Sequence, residues 1–302
     1  MFAFLDPPVA LAGLFVGFVV GLTGMGGGAL MTPILVLLFK VQPLMAVSSD
    51  IVASMIMKPV GGGVHWRRGT VHVGLVKWLV LGSVPSAFLG VLLLKNSGQG
   101  EALQHHIKLA LGLALLVVAL GLIIRPLLVR GRKAGDSMEP LVVKRLPTVL
   151  IGIAGGLVVG VTSVGSGSLM IILLLMLYPK LRLSELVGTD LVQAVPLVAS
   201  AALGHAFFGD FRLALTASIL VGSIPGVFIG AQLSSRAPDG LIRPALILVL
   251  LASSLKLLSA SNAVLALVIL AFAAAYVAVR ATEQRSARTL GGLSEKSPVL
   301  KS

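Results

Sequence analysis

The sequence predicts an all-α, polytopic membrane protein. Of its 302 residues, 57% are hydrophobic and only 12% are charged, and the mean hydropathy is +1.04. Soluble domains contain roughly 45–50% apolar and about 25% charged residues, so a soluble, disordered or fibrous chain is excluded. The apolar runs are long and continuous, whereas membrane β-barrels alternate apolar and polar residues in short strands. The chain contains no cysteine, which excludes disulfides and thiolate metal sites. We expect neither a metal nor a cofactor.

Long apolar segments account for most of the chain. A spanning helix needs about 20 apolar residues, because the hydrocarbon core is ~30 Å thick and a helix rises about 1.5 Å per residue. Two segments, 9–39 and 148–178, are interrupted by glycines near their middle. The remaining segments are continuous and are predicted to cross the membrane fully: 44–64, 72–94, 105–128, 183–206, 211–233, 240–258 and 262–280.

The basic residues predict the orientation of these spans. The net charge is +13, which in a soluble protein would point to nucleic acid but here indicates basic cytoplasmic loops. Lys and Arg cluster at 125–145 and 280–301, with an even number of continuous spans between the two clusters. Both clusters lie in the cytoplasm only if 148–178 is a re-entrant hairpin. With this hairpin, the His65–Arg68 loop is cytoplasmic and the N-terminus is outside. If both glycine-rich segments crossed the membrane fully, the basic tail would lie outside.

The two halves of the chain repeat each other at an offset of about 140 residues. Because the offset changes by only about one residue between motifs, it indicates duplication, as in many secondary transporters. We expect two homologous, inverted repeats, each with a glycine-rich broken or re-entrant hairpin followed by three transmembrane helices, plus one extra C-terminal helix. The matching stretches are Gly21–Met31 with Gly160–Met170, Val47–Asp50 with Val187–Asp190, His65 with His205, and Gly82–Pro85 with Gly222–Pro225.

The domain organisation follows from the repeats and the basic clusters. The first membrane repeat ends before one basic segment and the extra C-terminal helix before the other, and basic segments stay on the cytoplasmic side. The predicted units are the first membrane repeat at 1–128, a basic cytoplasmic linker at 129–145, the second repeat at 146–260, an extra transmembrane helix at 261–280 and a basic cytoplasmic tail at 281–302.

The glycine clusters are the first candidate substrate site. Broken helices inside a membrane expose backbone N–H groups and partial positive charge at the start of the second half-helix, which suits anions. The alternative is helix packing through small residues, but two clusters at matching positions favour a substrate site. The candidate substrate-binding residues in these clusters are Thr23, Gly24, Gly26, Gly27, Gly28, Thr162, Ser163, Gly165, Ser166, Gly167 and Ser168.

Isolated charges within the apolar segments are the second group of candidates. Asp50 and Asp190 either cap their helices or have another structural role, or they couple transport to an ion or a proton. Lys58 lies two helical turns beyond Asp50 on the same face. It either contributes to an anion path or forms a structural pair. His65 and His205 are either proton relays or ordinary interfacial histidines.

The ordered motifs resemble a known family. Gly21–Met31, Ser49-Asp50, His65–Thr70 and Gly82–Pro85 together resemble the TauE/SafE sulfite exporters, over roughly residues 10–260. The resemblance implies a multi-pass permease of the bacterial inner membrane for sulfite or a small organosulfur anion. The expected partners are therefore the lipid bilayer and that anion, with no nucleic acid. A homo-oligomeric assembly is left open.

The predicted function is a secondary transporter rather than an enzyme, with export coupled to the proton gradient. The chain has no G-x-x-x-x-G-K-[ST] motif and therefore does not hydrolyse ATP through a P-loop. A passive anion channel is one alternative. An intramembrane lipid-pyrophosphate phosphatase is another, but it needs acidic and Arg side chains beside its serine-rich loop, which the segment around Ser163–Ser168 lacks.

Overall fold

The structure, a computed structural model, describes residues 5–23, 27–98, 100–129, 141–233 and 239–276. Every element in these ranges is a helix, which confirms the predicted all-α class. Linker residues 130–140 and tail residues 277–302 lie outside the described residues. The chain divides into two units, Met1–Ser259 and Ala260–Ser302. The helices are α1 (Pro7–Thr23), α2 (Gly28–Leu37), α3 (Pro43–Arg67), α4 (Val73–Asn96), α5 (Gly100–Val129), α6 (Arg145–Thr162), α7 (Leu169–Leu177), α8 (Leu183–Phe208), α9 (Leu213–Leu233), α10 (Asp239–Leu257) and, in the second unit, α11 (Asn262–Tyr276).

Six helices of the described chain are long and apolar enough to cross a membrane, namely α3, α4, α5, α6, α8 and α9. Five of them coincide with predicted continuous spans, and α6 is the first half of the interrupted segment 148–178. The other interrupted segment, 9–39, forms the shorter helices α1 and α2. The last two predicted spans correspond to α10 and to α11, which is described as far as Tyr276. The protein is therefore a multi-pass membrane protein.

Two helix pairs pack closely through glycines. α1 lies along α9, and α6 lies along α4, with glycine positions against the backbone of the neighbouring helix. Residue numbers rise together along both pairs, so the helices in each pair run parallel. Small residues allow this close approach inside a membrane, where packing drives helix association. The contacting positions are Gly13 with Ile219, Gly17 with Ser223, Gly152 with Leu79, Gly156 with Ser83 and Gly160 with Ala87.

A leucine at Gly156 should separate α6 from α4. Even a Cβ atom there would overlap the Ser83 carbonyl oxygen and the Ser86 hydroxyl, whereas a Cβ at Gly63 would meet no atom within 4 Å. We expect Gly156→Leu to lower the midpoint of thermal unfolding in detergent by about 5 °C or more, as overpacking does in tightly packed interfaces. The matched control Gly63→Leu should change it by less than about 2 °C. Equal midpoints would contradict a tight α4–α6 interface.

The centre of the first unit is the contact between α3 and α8, which run antiparallel. Near the start of α3, the Ser48 hydroxyl lies 2.8 Å from Nδ1 of His205, near the end of α8. Beyond the end of α3, the backbone N–H of His72 donates to the Thr189 hydroxyl, near the start of α8. Matching helices of the two halves therefore point in opposite directions at the centre of the bundle.

Both glycine-rich segments turn back on themselves. The backbone N–H of Lys144, just before α6, donates to the hydroxyl of Tyr178, just after α7. The starts of α1 and α3 both lie beside the start of α9, because Asp6 N–H donates to Ser218 and Arg212 N–H donates to Ser49. Each segment thus begins and ends at the same end of the bundle, which supports the hairpin interpretation over a full crossing.

Candidate substrate site

The tips of the two hairpins meet inside the bundle. Gly28, at the start of α2, packs directly against the backbone of Ser163, the residue that ends α6. A Cβ atom at Gly28 would overlap the Ser163 carbonyl oxygen. Ser163 has a φ of 62°, a left-handed conformation that ends the helix and reverses the chain. The two helix breaks that the glycine-rich repeats predicted therefore contact each other.

Asp50 on α3 ties both hairpins together. Its side chain is buried, and its Oδ2 atom accepts hydrogen bonds from Thr32 on α2 at 3.0 Å and from Ser163 at 2.6 Å. Helix α3 begins at Pro43, after Gln42, so Asp50 does not cap it. The capping alternative is also wrong for Asp190, because Arg182 and Glu185 form the capping box of α8.

Lys58 is the only Lys or Arg side chain that is buried among those whose exposure the structure describes. Its Nζ atom donates to the Ser166 hydroxyl at 2.7 Å. Among the described residues, no carboxylate lies within 4.0 Å of Nζ, so the direct pair with Asp50 that the sequence left open does not form. Lys58 is nevertheless near enough to attract both Asp190 and Asp50 electrostatically. Within the part of the chain that the structure describes, it is a buried cation with no direct counter-ion.

Asp190 on α8 occupies the repeat position of Asp50 but has different neighbours. It is fully buried, and its Oδ1 atom accepts a hydrogen bond from Gln193 at 2.9 Å. The Gln193 side-chain oxygen in turn accepts from the Ser83 hydroxyl at 3.2 Å. The backbone amide of Gly167 also faces the carboxylate. The Oδ2 atom of Asp190 has no hydrogen-bond partner among the described residues.

The turn between α6 and α7 adds several polar groups to those around Lys58 and the two aspartates. The groups that we call the central cluster are Asp50, Lys58, Asp190, Thr32, Ser83, Gln193, Ser163, Ser166 and the Gly167 N–H. Gly165 and Gly167 have φ values of 124° and 107°, which side chains with a Cβ rarely adopt, and they shape the turn that presents Ser166 to Lys58. Ser168 precedes α7 and is buried, but its side chain does not cap that helix. The Met170 N–H donates to the Gly165 carbonyl at 3.2 Å, whereas the N–H groups of Leu169 and Ile171 have no acceptor among the described residues, and anions bind to such groups at helix N-termini.

The other candidates from the two glycine clusters are Thr23, Thr162, Gly27, Gly24 and Gly26. The hydroxyls of Thr23 and Thr162 donate to the carbonyls of Val19 and Val158 within their own helices. Gly27 precedes the first residue of α2 and lies beside the meeting point of the hairpins. Gly24 and Gly26 lie outside the described residues, so their predicted role stays a prediction.

The two histidines do not join the central cluster. His205 is buried, and its ring nitrogens lie 2.8 Å from the Ser48 hydroxyl and 2.8 Å from the Gly160 carbonyl oxygen. A carbonyl only accepts, so Nε2 donates to Gly160, while Nδ1 shares the second hydrogen bond with the Ser48 hydroxyl, and both ring nitrogens are occupied. His65 contacts the Thr70 hydroxyl at 2.9 Å, near the opposite end of α3.

Sequence reasoning missed three residues of the cluster, namely Thr32, Ser83 and Gln193. The repeat position of Thr32 is Ile171, so comparison of the halves offers no polar signal there. Gln193 follows Asp190 by one helical turn, and that spacing was a usable signal because side chains three residues apart share a helix face. Ser83 is brought to the cluster by packing between α4 and α8.

Comparison with known proteins agrees with this architecture. Residues 9–257 match the family described as "Sulfite exporter TauE/SafE". The chain is 41% identical over 256 residues to "Probable membrane transporter protein YjnA" of Bacillus subtilis (strain 168), covering 83% of this chain and 98% of that protein. It is 24% identical over 243 residues to "Probable membrane transporter protein YdhB" of the same organism, covering 80% and 95%. No solved structure matches the chain. The chain belongs to the sulfite exporter TauE/SafE family of membrane transporters.

Proposed function

We propose that this protein is a secondary transporter that moves sulfite or another small sulfur-containing anion, such as an organosulfonate, across the membrane. The observation that carries the proposal is the buried Lys58 ammonium, which has no direct counter-ion among the described residues and donates to Ser166 in the turn before α7. The names of the family and of both relatives refer to transport rather than catalysis. Export is the direction that the family description favours.

The chemistry of the cluster suits a small oxyanion. Removing an ion from water costs several kcal/mol even after the protein relaxes, so an anion at the membrane centre needs opposite charge. A helix N-terminus supplies about half an elementary charge, and Lys58 supplies a whole one. The Ser166 hydroxyl beside Lys58 and the N–H groups of Leu169 and Ile171 at the start of α7 add donors. Together these groups replace part of the water shell of the anion.

We also propose that the two halves form inverted repeats that rock against each other during transport. The antiparallel α3–α8 contact and the parallel α1–α9 and α4–α6 pairs support this proposal, because each hairpin packs on a helix of the opposite half. Inverted repeats with a site at their interface are a common basis of alternating access. The cluster lies between α3, α8 and the hairpin tips, where such a movement would expose it to either side in turn.

The orientation can be tested with single cysteines, since the natural chain has none. We expect Arg68→Cys, in the exposed loop after α3, to react only with reagents on the cytoplasmic side. Asp210→Cys, in the exposed loop after α8, should react only from outside. The measurement is labelling of intact cells by a membrane-impermeant maleimide, with permeabilised cells as the control. Labelling of both positions from one side would contradict the inverted repeats.

Coupling to protons is part of the proposal, and the central carboxylates support it better than the histidines. Asp50 and Asp190 lie in the cluster with Lys58, whereas His205 and His65 are engaged elsewhere on α3 and α8. A carboxyl group beside an anion site can change charge when the substrate binds, which is the requirement for coupling.

Counterflow in liposomes tests the proposed function. Full-length protein is reconstituted, the lumen is loaded with unlabelled sulfite, and entry of labelled sulfite is followed at equal pH on both sides, with sulfate, sulfoacetate and taurine as competitors. A carrier should show saturable exchange that depends on the anion inside. Flux that does not saturate and does not respond to the internal anion would indicate a channel, and no flux above protein-free liposomes would contradict the proposal.

A further inference from the structure

We infer that Asp190 is the carboxylate that binds and releases the coupling proton, and that Asp50 remains an ionised anchor for the hairpins. The inference rests on the proposed transport function and assigns one residue and one direction of coupling to it. It begins with an asymmetry between two residues that the repeat makes equivalent.

The asymmetry lies in the hydrogen-bond donors around the two carboxylates. Thr32 and Ser163 both donate to Oδ2 of Asp50. Their repeat positions are Ile171 and Gly24, neither of which has a hydroxyl group. Among the described residues, the hydrogen-bond donors to Asp190 are therefore only Gln193 and the Gly167 amide. The Oδ2 atom of Asp190 is buried and has no hydrogen-bond partner in the described chain. Duplication placed a carboxylate at both positions but kept the two hydroxyl donors at only one.

A proton is the ligand that this orphan oxygen fits. A buried charged oxygen without a hydrogen bond is costly, and protonation removes the charge. Sodium would need several oxygen ligands, yet the groups around Asp190 are mainly donors, namely the Gln193 amide and the Gly167 N–H, together with the Lys58 cation.

The charged groups around Asp190 define how the proton and the anion are coupled. Asp190 interacts electrostatically with Lys58 on α3, and Lys58 in turn also interacts with Asp50. Gln193 connects Asp190 to Ser83 on α4, and the Gly167 amide faces it from the turn before α7. Other titratable groups near the start of α8 are Arg182 at its N-cap, the pair His72 and Glu185, which lie 3.7 Å from each other, and His65, whose Nδ1 atom would lie 3.1 Å from a Cβ atom at Gly188. Lys58 is thus the positive charge that attracts both the ionised Asp190 and an incoming anion.

This sharing makes the proton and the anion bind together. While Asp190 is ionised, the Lys58 charge is partly compensated, and an added anion would face two nearby carboxylates. When Asp190 binds a proton, it becomes neutral and no longer compensates the Lys58 charge, which can then attract the anion. The proton and the anion therefore cross in the same direction, and net flux follows the sum of the anion gradient and ΔpH. An outward sulfite gradient then carries protons out with the anion.

The test compares Asp190→Asn with the wild-type protein in liposomes whose membrane potential is clamped with K⁺ and valinomycin. In the wild type, an acidic exterior should drive sulfite accumulation above that of protein-free liposomes. In Asp190→Asn, accumulation driven by ΔpH should be lost, because Asn cannot bind or release a proton, while counterflow at equal pH should still exceed that of protein-free liposomes. The matched control Asp210→Asn, at an exposed loop position, should retain both activities.

Each outcome separates this inference from the proposed function. Absence of sulfite counterflow in the wild type would overturn the proposed function itself. Normal counterflow without any response to ΔpH in the wild type, or ΔpH-driven accumulation retained by Asp190→Asn, would overturn the inference alone. Sulfite accumulation that depends on a Na⁺ gradient and not on ΔpH would also overturn the inference alone. Because the variant can fail to fold, a pH dye inside wild-type liposomes adds a second test: outward sulfite flux should make the lumen more alkaline than in protein-free liposomes, and an unchanged lumen would overturn the inference.

Discussion

Replacing Lys58 with methionine should raise the KM for sulfite counterflow by at least about tenfold. Hydrogen bonds to charged groups are worth about 1.5–3 kcal/mol, and each 1.4 kcal/mol corresponds to about a tenfold change in affinity. Methionine keeps much of the length and apolar volume of the lysine stem, so the buried position remains filled. The Ser166 hydroxyl would then lose the donor that lies 2.7 Å away. The measurement is the concentration dependence of initial counterflow rates in liposomes.

The matched control for this experiment is Lys77→Met, which removes an exposed lysine at the start of α4. That variant should keep the wild-type KM. The KM of Lys58→Arg should lie between the values of Lys58→Met and Lys77→Met, because arginine keeps the positive charge but replaces a compact ammonium with a planar guanidinium. If Lys58→Met transports sulfite with unchanged KM and rate, Lys58 is structural and the anion binds through the hairpin turns alone.

Replacing Gly28 with alanine should lower the maximal rate of counterflow by about tenfold or more, which corresponds to about 1.4 kcal/mol in the barrier. The added methyl group would overlap the Ser163 carbonyl oxygen and displace the hydroxyl that holds Asp50. Gly27→Ala is the matched control, since a Cβ there meets nothing nearer than Val20, at 3.9 Å. Rates and the amount of inserted protein are measured for both variants. Equal rates would contradict a functional contact between the hairpin tips.

The hairpins and the charged residues were predictable from the sequence because composition and repetition encode them. Long apolar runs have few solutions other than membrane helices, and glycines at matching positions indicate matching interruptions. Asp50, Lys58 and Ser166 were therefore identified as candidates before their contacts were known. The α6–α7 turn is the clearest example, since its glycines and serines predicted both a break and a polar surface.

The pairing of these residues was not predictable, because it depends on contacts between distant parts of the chain. Helical spacing places Lys58 on the Asp50 face of α3, yet Lys58 donates to Ser166 in the other half. The repeat treats Asp50 and Asp190 as equivalent, yet their neighbours differ because Thr32 and Ser163 have counterparts without hydroxyls. The equivalence of His65 and His205 likewise fails, since only His205 is buried between two partners.

The central claim is that the anion binds beside Lys58 at the turn before α7. The most direct measurement is an experimental structure of the full chain with selenite, a heavier analogue of sulfite whose selenium is located by its anomalous signal. The account predicts a selenium peak close enough for an oxygen of the anion to accept a hydrogen bond from Lys58 Nζ, with Ser166 or the first N–H groups of α7 on its other side. A well-occupied selenium peak elsewhere in the bundle, with Lys58 still bonded only to Ser166, would contradict it.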